Sequence, residues 1–138
     1  MSATEVQEYR PTEDEDFMNE RQLEYFRNKL LAWKEDILAE SKNTLGQLQE
    51  DSLHLPDAAD RASSETDKAL ELRTRDRQRK LISKIDKALR KIETGEYGYC
   101  EDTGDPISLA RLDARPIATL SLEAQERHER SEKVHRDD

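Results

Sequence analysis

The stretch SLHLPDAADRA, residues 52–62, decides how this chain folds. Long polar runs flank it on both sides, each carrying an apolar residue every three or four positions, the mark of an amphipathic helix. Pro56 has no amide hydrogen to give to a helix and disfavours helix at Leu55, so the chain turns there. Asp57 and Asp60 follow where a second helix begins, a position that the helix dipole makes favourable for carboxylates. Two long helices joined by so short a turn are predicted to fold back as an antiparallel hairpin, with the turn as its projecting tip.

Upstream, Asn19 followed by Gln22 reads as a capping box opening a helix that runs to about Glu50. Its apolar positions are Leu23, Phe26, Leu30/Leu31, Trp33, Ile37/Leu38, Leu45 and Leu48, and the early spacings of three and four are those of a coiled-coil seam. Downstream, a second helix is predicted from Ala58 or Asp60 to Thr94, ending at Gly95, a good C-terminal cap. Its seam is Ala62, Ala69, Leu72, Leu81/Ile82, Ile85, Leu89 and Ile92, interrupted by the polar run RTRDRQRK. At 1.5 Å per residue each arm is roughly 45–55 Å long. EYGYCEDTGDPISLARLDARPIATL (96–120) changes character to a turn-rich or hairpin module, and 121–138 reads as a final polar helix. The predicted organisation is an acidic segment 1–18 packing on or near the globular part, a hairpin over 19–94 with its tip near 52–62, and a module over 95–138.

Composition agrees with long helices. Apolar residues are 33% and charged residues 40% of the chain, against a usual charged share of roughly 25%. So little apolar material cannot wrap a large round core, but it can line the seam between two helices. The net charge of −9 argues against DNA binding through bulk charge. The charge is uneven, however: from Arg73 to Lys91 nine basic residues stand against Asp76 and Asp86. One cysteine, Cys100, excludes an internal disulfide. No apolar run approaches the ~18 residues of a membrane span, and the N-terminus lacks the pattern of a signal peptide, so a cytoplasmic, membrane-free protein is expected.

Four pieces of sequence carry a family resemblance: the tip Pro56-Asp57-x-x-Asp60-Arg61-Ala62, the run LELRTRDRQRKLISKI (70–85), GEYGYCEDTG (95–104) and RLDARPIATL (111–120). In this order they resemble the DksA/TraR family of RNA polymerase-binding transcription factors over residues 17 to about 128. The resemblance implies a mainly α fold, a long antiparallel coiled-coil hairpin plus a small globular, zinc-finger-like module with a C-terminal helix. It implies a monomer without enzymatic activity that enters the secondary channel of bacterial RNA polymerase. There it alters promoter complexes, ribosomal RNA promoters among them, together with guanosine tetraphosphate in the stringent response. Asp60 and Ala62, with Asp57 beside them, match the effector tip at the polymerase active site. Arg77, Leu81 and Lys84 match positions near the guanosine tetraphosphate site.

Arg73, Arg77, Lys80 and Lys84 are spaced i, i+4, i+7 and i+11, which places them on one helical face. Clustered cations suit a polyanion, although pairing with Glu35, Asp36 or Glu40 on the first helix would account for several of them. One family basic position is Gln125 here. Arg111, Arg115 and Pro116 read as fixing the join between module and hairpin, and Trp33 as core.

The sharpest departure concerns metal. The family's module uses two Cys-x-x-Cys pairs, and zinc needs four donors. The corresponding positions are Cys100, Thr103, Ser121 and Ala124, which leads to the expectation of no zinc and a degenerate finger. A structural zinc supplies ~10–16 kcal/mol, so packing by Tyr97, Tyr99, Ile107, Leu109, Leu112, Ile117, Leu120 and Leu122 is expected in its place. With one thiol left to oxidise, tolerance of oxidants follows as an expectation. Other function classes fit less well. An enzyme using Asp57 and Asp60 lacks a supporting His, Ser or Lys and a pocket. A cleavage-factor-like channel protein matches the tip less closely. A purely structural coiled-coil adaptor would carry its seam through the basic stretch.

Overall fold

The computed structural model describes the backbone of residues 9–53 and 58–137 and the side chains of residues 9–43 and 64–134. Four helices form: α1 (Glu20–Leu53), α2 (Ala58–Thr94), α3 (Leu109–Ala114) and α4 (Leu122–Asp137). Among the described residues the only β pairing is an isolated antiparallel bridge between Tyr99 and Pro106. The chain divides into two compact units, residues 31–86 and residues 1–30 with 87–138.

Local chemistry sets the helix ends. Asn19 accepts the Gln22 amide at 2.9 Å, as an N-cap does. The return bond differs from a capping box, because the Gln22 side chain reaches one residue further and accepts from the Met18 amide at 2.7 Å. Gln22 is fully buried, and its amide group also donates to the Thr12 carbonyl at 3.4 Å. At the other end of the pair, Gly95 takes φ +80°. The Glu96 amide then reaches the Lys91 carbonyl at 2.9 Å, which closes α2 in the manner of a Schellman cap.

In the 31–86 unit α1 and α2 run antiparallel. Lys34 pairs with Asp86 at 2.6 Å and Ser41 donates to Gln78 at 2.6 Å, so position rises on one helix as it falls on the other. Ile37 and Ile85 are buried between them. Leu31, Leu38 and Leu72, expected on the seam, are instead about half exposed, and Ala69 is exposed while Trp33 is half-buried. A helix in a two-helix pair buries one narrow stripe, and residues beside that stripe meet no third element.

The other unit gathers its core from five places. Phe26 and Leu30 come from α1, Ala88 and Ile92 from α2, Leu109 and Leu112 from α3, Ala124 from α4, and Tyr97, Cys100, Ile107 and Ile117 from the segments between. Phe26 and Tyr97 pack ring against ring at 5.5 Å, and the Tyr97 hydroxyl donates to the Pro116 carbonyl at 2.7 Å. Five of the eight side chains expected to pack here are buried, Leu120 is half-buried, and Tyr99 and Leu122 lie at the surface. In the extended stretch around the bridge, neighbours face opposite ways. Cys100 points inward, so Tyr99 points out. Leu122 and Ala124 sit two residues apart on α4, about 200° around the helix, and the smaller one faces the core.

Helix α3 lies where only turns were expected. Ser108 caps it by accepting the Arg111 amide at 3.2 Å, and six residues are too few to show a helical period. The segment before α1 also packs in this unit. Phe17 meets Tyr99 edge-on at 5.3 Å, and Gly98, at φ +93°, leaves the space that Met18 and Phe17 fill.

Leu112, with no exposed surface, is the sharpest probe of this core. Leu112→Ala removes a fully buried side chain and is expected to cost about 2–5 kcal/mol, read as a lowered thermal midpoint of the tyrosine circular dichroism.

Candidate functional site

The basic stretch of α2 carries the first candidate surface. The predicted face forms as spaced: Arg73, Arg77, Lys80 and Lys84 are exposed on one continuous helix, with Leu81 half-buried among them. Thr74, Arg77, Gln78, Lys80, Leu81 and Lys84 line an open groove of about 490 Å³. A second groove of about 750 Å³ adjoins it, sharing Thr74 and Arg77 and adding Ala69, Leu70, Leu72, Arg73 and Asp76.

The cations are largely uncommitted. Lys80 meets Asp76 at 3.4 Å, an exposed pair one helical turn apart that contributes little to stability. Arg77 donates to the Thr74 hydroxyl at 3.3 Å. Pairing with Glu35, Asp36 or Glu40 does not occur among the described residues. The ion pair that does cross the hairpin runs the other way, from Lys34 on α1 to Asp86 on α2. Guanidinium and ammonium groups with no carboxylate partner on one face can receive a polyanion or an acidic protein surface.

Asp57, from the predicted tip, lies outside the described residues, as do the side chains of Asp60 and Ala62, although the α2 backbone passes through both.

The third group is the degenerate finger. A tight turn brings the Gly104 amide to the Cys100 carbonyl and the Cys100 amide to the Asp105 carbonyl, each at 2.8 Å. Ser121 caps α4, its hydroxyl accepting the Ala124 amide at 3.2 Å. Cys100 is 2% exposed and Ala124 fully buried. Burial pushes the Cys100 thiol up. Hydrogen bonds from the Thr103 hydroxyl, the Ser121 and Thr103 amides and the Ser121 hydroxyl outweigh it, bringing the thiol down to about 6. Thus Cys100, Thr103 and Ser121 do come together.

As a donor set for zinc these residues do not fit. Structural zinc takes four thiolate or imidazole ligands, whereas this cluster offers one sulfur, two hydroxyls and a methyl. No group of three or more His, Cys, Asp or Glu side chains suited to a metal occurs among the described residues. His128 is bound to Asp102 at 2.6 Å on the surface, and Gln125 donates to Glu129 at 3.2 Å.

A polar lock that sequence reading missed holds α3 to the start of α1. Lys29 donates to the Asp113 carboxylate at 2.7 Å and to its carbonyl at 2.6 Å, and the Tyr25 hydroxyl donates to the same carboxylate at 2.5 Å. Arg111 braces the same region by donating to the Leu120 carbonyl at 2.9 Å. No local motif announces a partnership between residues some 84 positions apart. The hydrogen bond from Lys29, then that from Tyr25, hold the Asp113 carboxyl below its ordinary value, and burial, with the bond to Asp113, pushes Tyr25 up to about 12. A carboxyl lowered on folding stabilises above its unfolded pKa and loses that contribution as pH falls through the folded value. Asp113→Asn should therefore unfold at a lower temperature than the native chain at neutral pH. The gap should narrow as pH drops below 3.8, the ordinary value.

Antiparallel long helices, an unpaired cationic stripe and a small cysteine-poor knuckle define a helical-hairpin protein with a zinc-finger-like module, built to make contacts through charged surface. Comparison with known proteins agrees. Residues 22–92 match the DnaK suppressor protein DksA N-terminal domain, and residues 95–130 match the prokaryotic dksA/traR C4-type zinc finger. The chain belongs to the DksA family. It is 72% identical over 134 residues to the RNA polymerase-binding transcription factor DksA of Caulobacter vibrioides, covering 97% of this chain and 94% of the relative. It is 43% identical over 120 residues to the protein of the same name from Escherichia coli K12, covering 87% and 80%. The solved structure of transcription factor DksA2 from Pseudomonas aeruginosa superposes with a TM-score of 0.81 at 38% identity, covering 94% of this chain and 97% of that one. These relatives are named as transcription factors, not enzymes.

Proposed function

We propose that this protein binds bacterial RNA polymerase through the secondary channel and modulates initiation, at ribosomal RNA promoters among others, together with guanosine tetraphosphate and without zinc. Relatives that are 72% and 43% identical are named RNA polymerase-binding transcription factors, which supports the partner. The observation that carries the finer reading is the unpaired face of Arg73, Arg77 and Lys84 around Leu81. Three cations flanking an open groove suit a tetra-anionic nucleotide shared with a second surface. The Asp57–Ala62 tip, by its sequence, is the part that acts on the catalytic centre. The net charge of −9 fits action through the polymerase and not through sequence-specific DNA contact. The protein works as a cytoplasmic monomer; no described helix is long and apolar enough to cross a membrane.

Transcription from a ribosomal RNA promoter by purified polymerase tests the proposal. Inhibition by the protein, deepened by guanosine tetraphosphate, is expected. Transcript cleavage in stalled complexes, or no effect on initiation, would contradict it. The zinc-free reading has its own check: chelator treatment should leave the helical signal and the transcriptional effect unchanged, and loss of either counts against it.

A further inference from the structure

The match to a four-cysteine finger over 95–130 and the donor set found there disagree, and the disagreement has a specific structural content. Resting on the zinc-free reading, we infer that the Cys100 sulfur stands in for the metal as the centre of the knuckle. It is a buried acceptor on which Thr103 and Ser121 converge, tying the 100–105 turn to the start of α4.

The direction of each hydroxyl bond follows from its other partner. The Thr103 oxygen accepts the Asp105 amide at 3.2 Å, so its one proton is left to give. The Ser121 oxygen is likewise occupied, accepting the Ala124 amide at 3.2 Å as the N-cap of α4. Both protons therefore point to an acceptor other than these amides, and the sulfur beside them is that acceptor. The Thr103 and Ser121 amides point at it as well. At 2% exposure for Cys100 and none for Ala124, water does not replace the sulfur, and a buried donor left without an acceptor is costly. The methyl of Ala124 is apolar, as suits a position that no longer has a metal to reach. A second tie, from the Glu101 amide to the Thr119 carbonyl at 2.8 Å, runs alongside and joins the same two segments.

This assignment separates acceptance from packing. Cys100→Val fills the site with apolar volume but accepts nothing, whereas Cys100→Ser is smaller and more polar yet accepts. Melting of the full chain, followed by tyrosine circular dichroism, reads the right unit. All four tyrosines lie within residues 1–30 and 87–138, while the single tryptophan, Trp33, lies in the other unit. The expected ranking is native, then serine, then valine. The valine variant should lose roughly 5–10 °C, about the shift of a loss of one to two hydrogen-bonded donors in a small domain. Ser121→Ala should cost less in the valine background than in the native chain, since its partner is already gone. A valine variant as stable as the serine one or more so, or equal Ser121→Ala losses in both backgrounds, would overturn the inference. Zinc content of the purified native protein is measured in parallel. About one equivalent per chain would overturn the zinc-free reading itself, whatever the melting order.

Discussion

Reversing two charges, Arg77→Glu with Lys84→Glu, is expected to abolish the enhancement by guanosine tetraphosphate while leaving the fold intact. Both side chains are exposed on α2 and line the same groove. Neither takes part in an ion pair among the described residues, so no stabilising contact is lost with them. Truncating one member of a charged contact in an interface costs about 2–5 kcal/mol, and reversal adds repulsion. Nucleotide response should therefore fall by at least roughly thirtyfold, since ~1.4 kcal/mol is tenfold. Helical circular dichroism serves as the control. A double variant that still responds to the nucleotide like the native protein would show that this face is not its site. Arg79→Glu, off the groove lining, should respond nearly as the native chain does.

Asp60→Asn is the second substitution with a large expected effect. Asparagine keeps the size and the helix-start preference of aspartate but removes the charge, so α2 should form as before. Binding to polymerase should persist, because the α2 stripe is unchanged, while the effect on initiation is lost. Asp60→Ala should behave the same way in transcription. If both variants inhibit the promoter as well as the native chain, the carboxylate has no effector role.

The long helices were legible in the sequence because each rests on local signals: Asn19 at one end, Pro56 at the turn, Gly95 at the other. Their observed limits, Glu20–Leu53 and Ala58–Thr94, fall within a few residues of those expected. The cationic face was legible for the same reason, since i, i+4, i+7 spacing is a property of any helix. Harder to read was which apolar residues that spacing would bury. Leu38 and Leu72 satisfy the periodicity yet stay half exposed, because a pair of helices covers less than a bundle does. The module was legible only in part. Ile107, Leu109 and Leu112 were foreseen as core, but α3 is too short to announce itself. The Lys29–Tyr25–Asp113 lock depends on a tertiary approach that no neighbouring residues encode. Sequence did disclose the missing zinc ligands. What it could not disclose was that the hydroxyls of Thr103 and Ser121 turn toward Cys100, since that depends on the turn and the α4 cap meeting in space.

The proposal turns on where the 56–62 tip goes when polymerase is present. Replacing the catalytic magnesium of polymerase with ferrous iron generates hydroxyl radicals at the active site, and end-labelled protein records where the chain is cut. Cleavage confined to the neighbourhood of residues 56–62, dependent on polymerase, is the expected record. An uncut tip in a complex that demonstrably forms, or cuts restricted to residues 95–138, would contradict it.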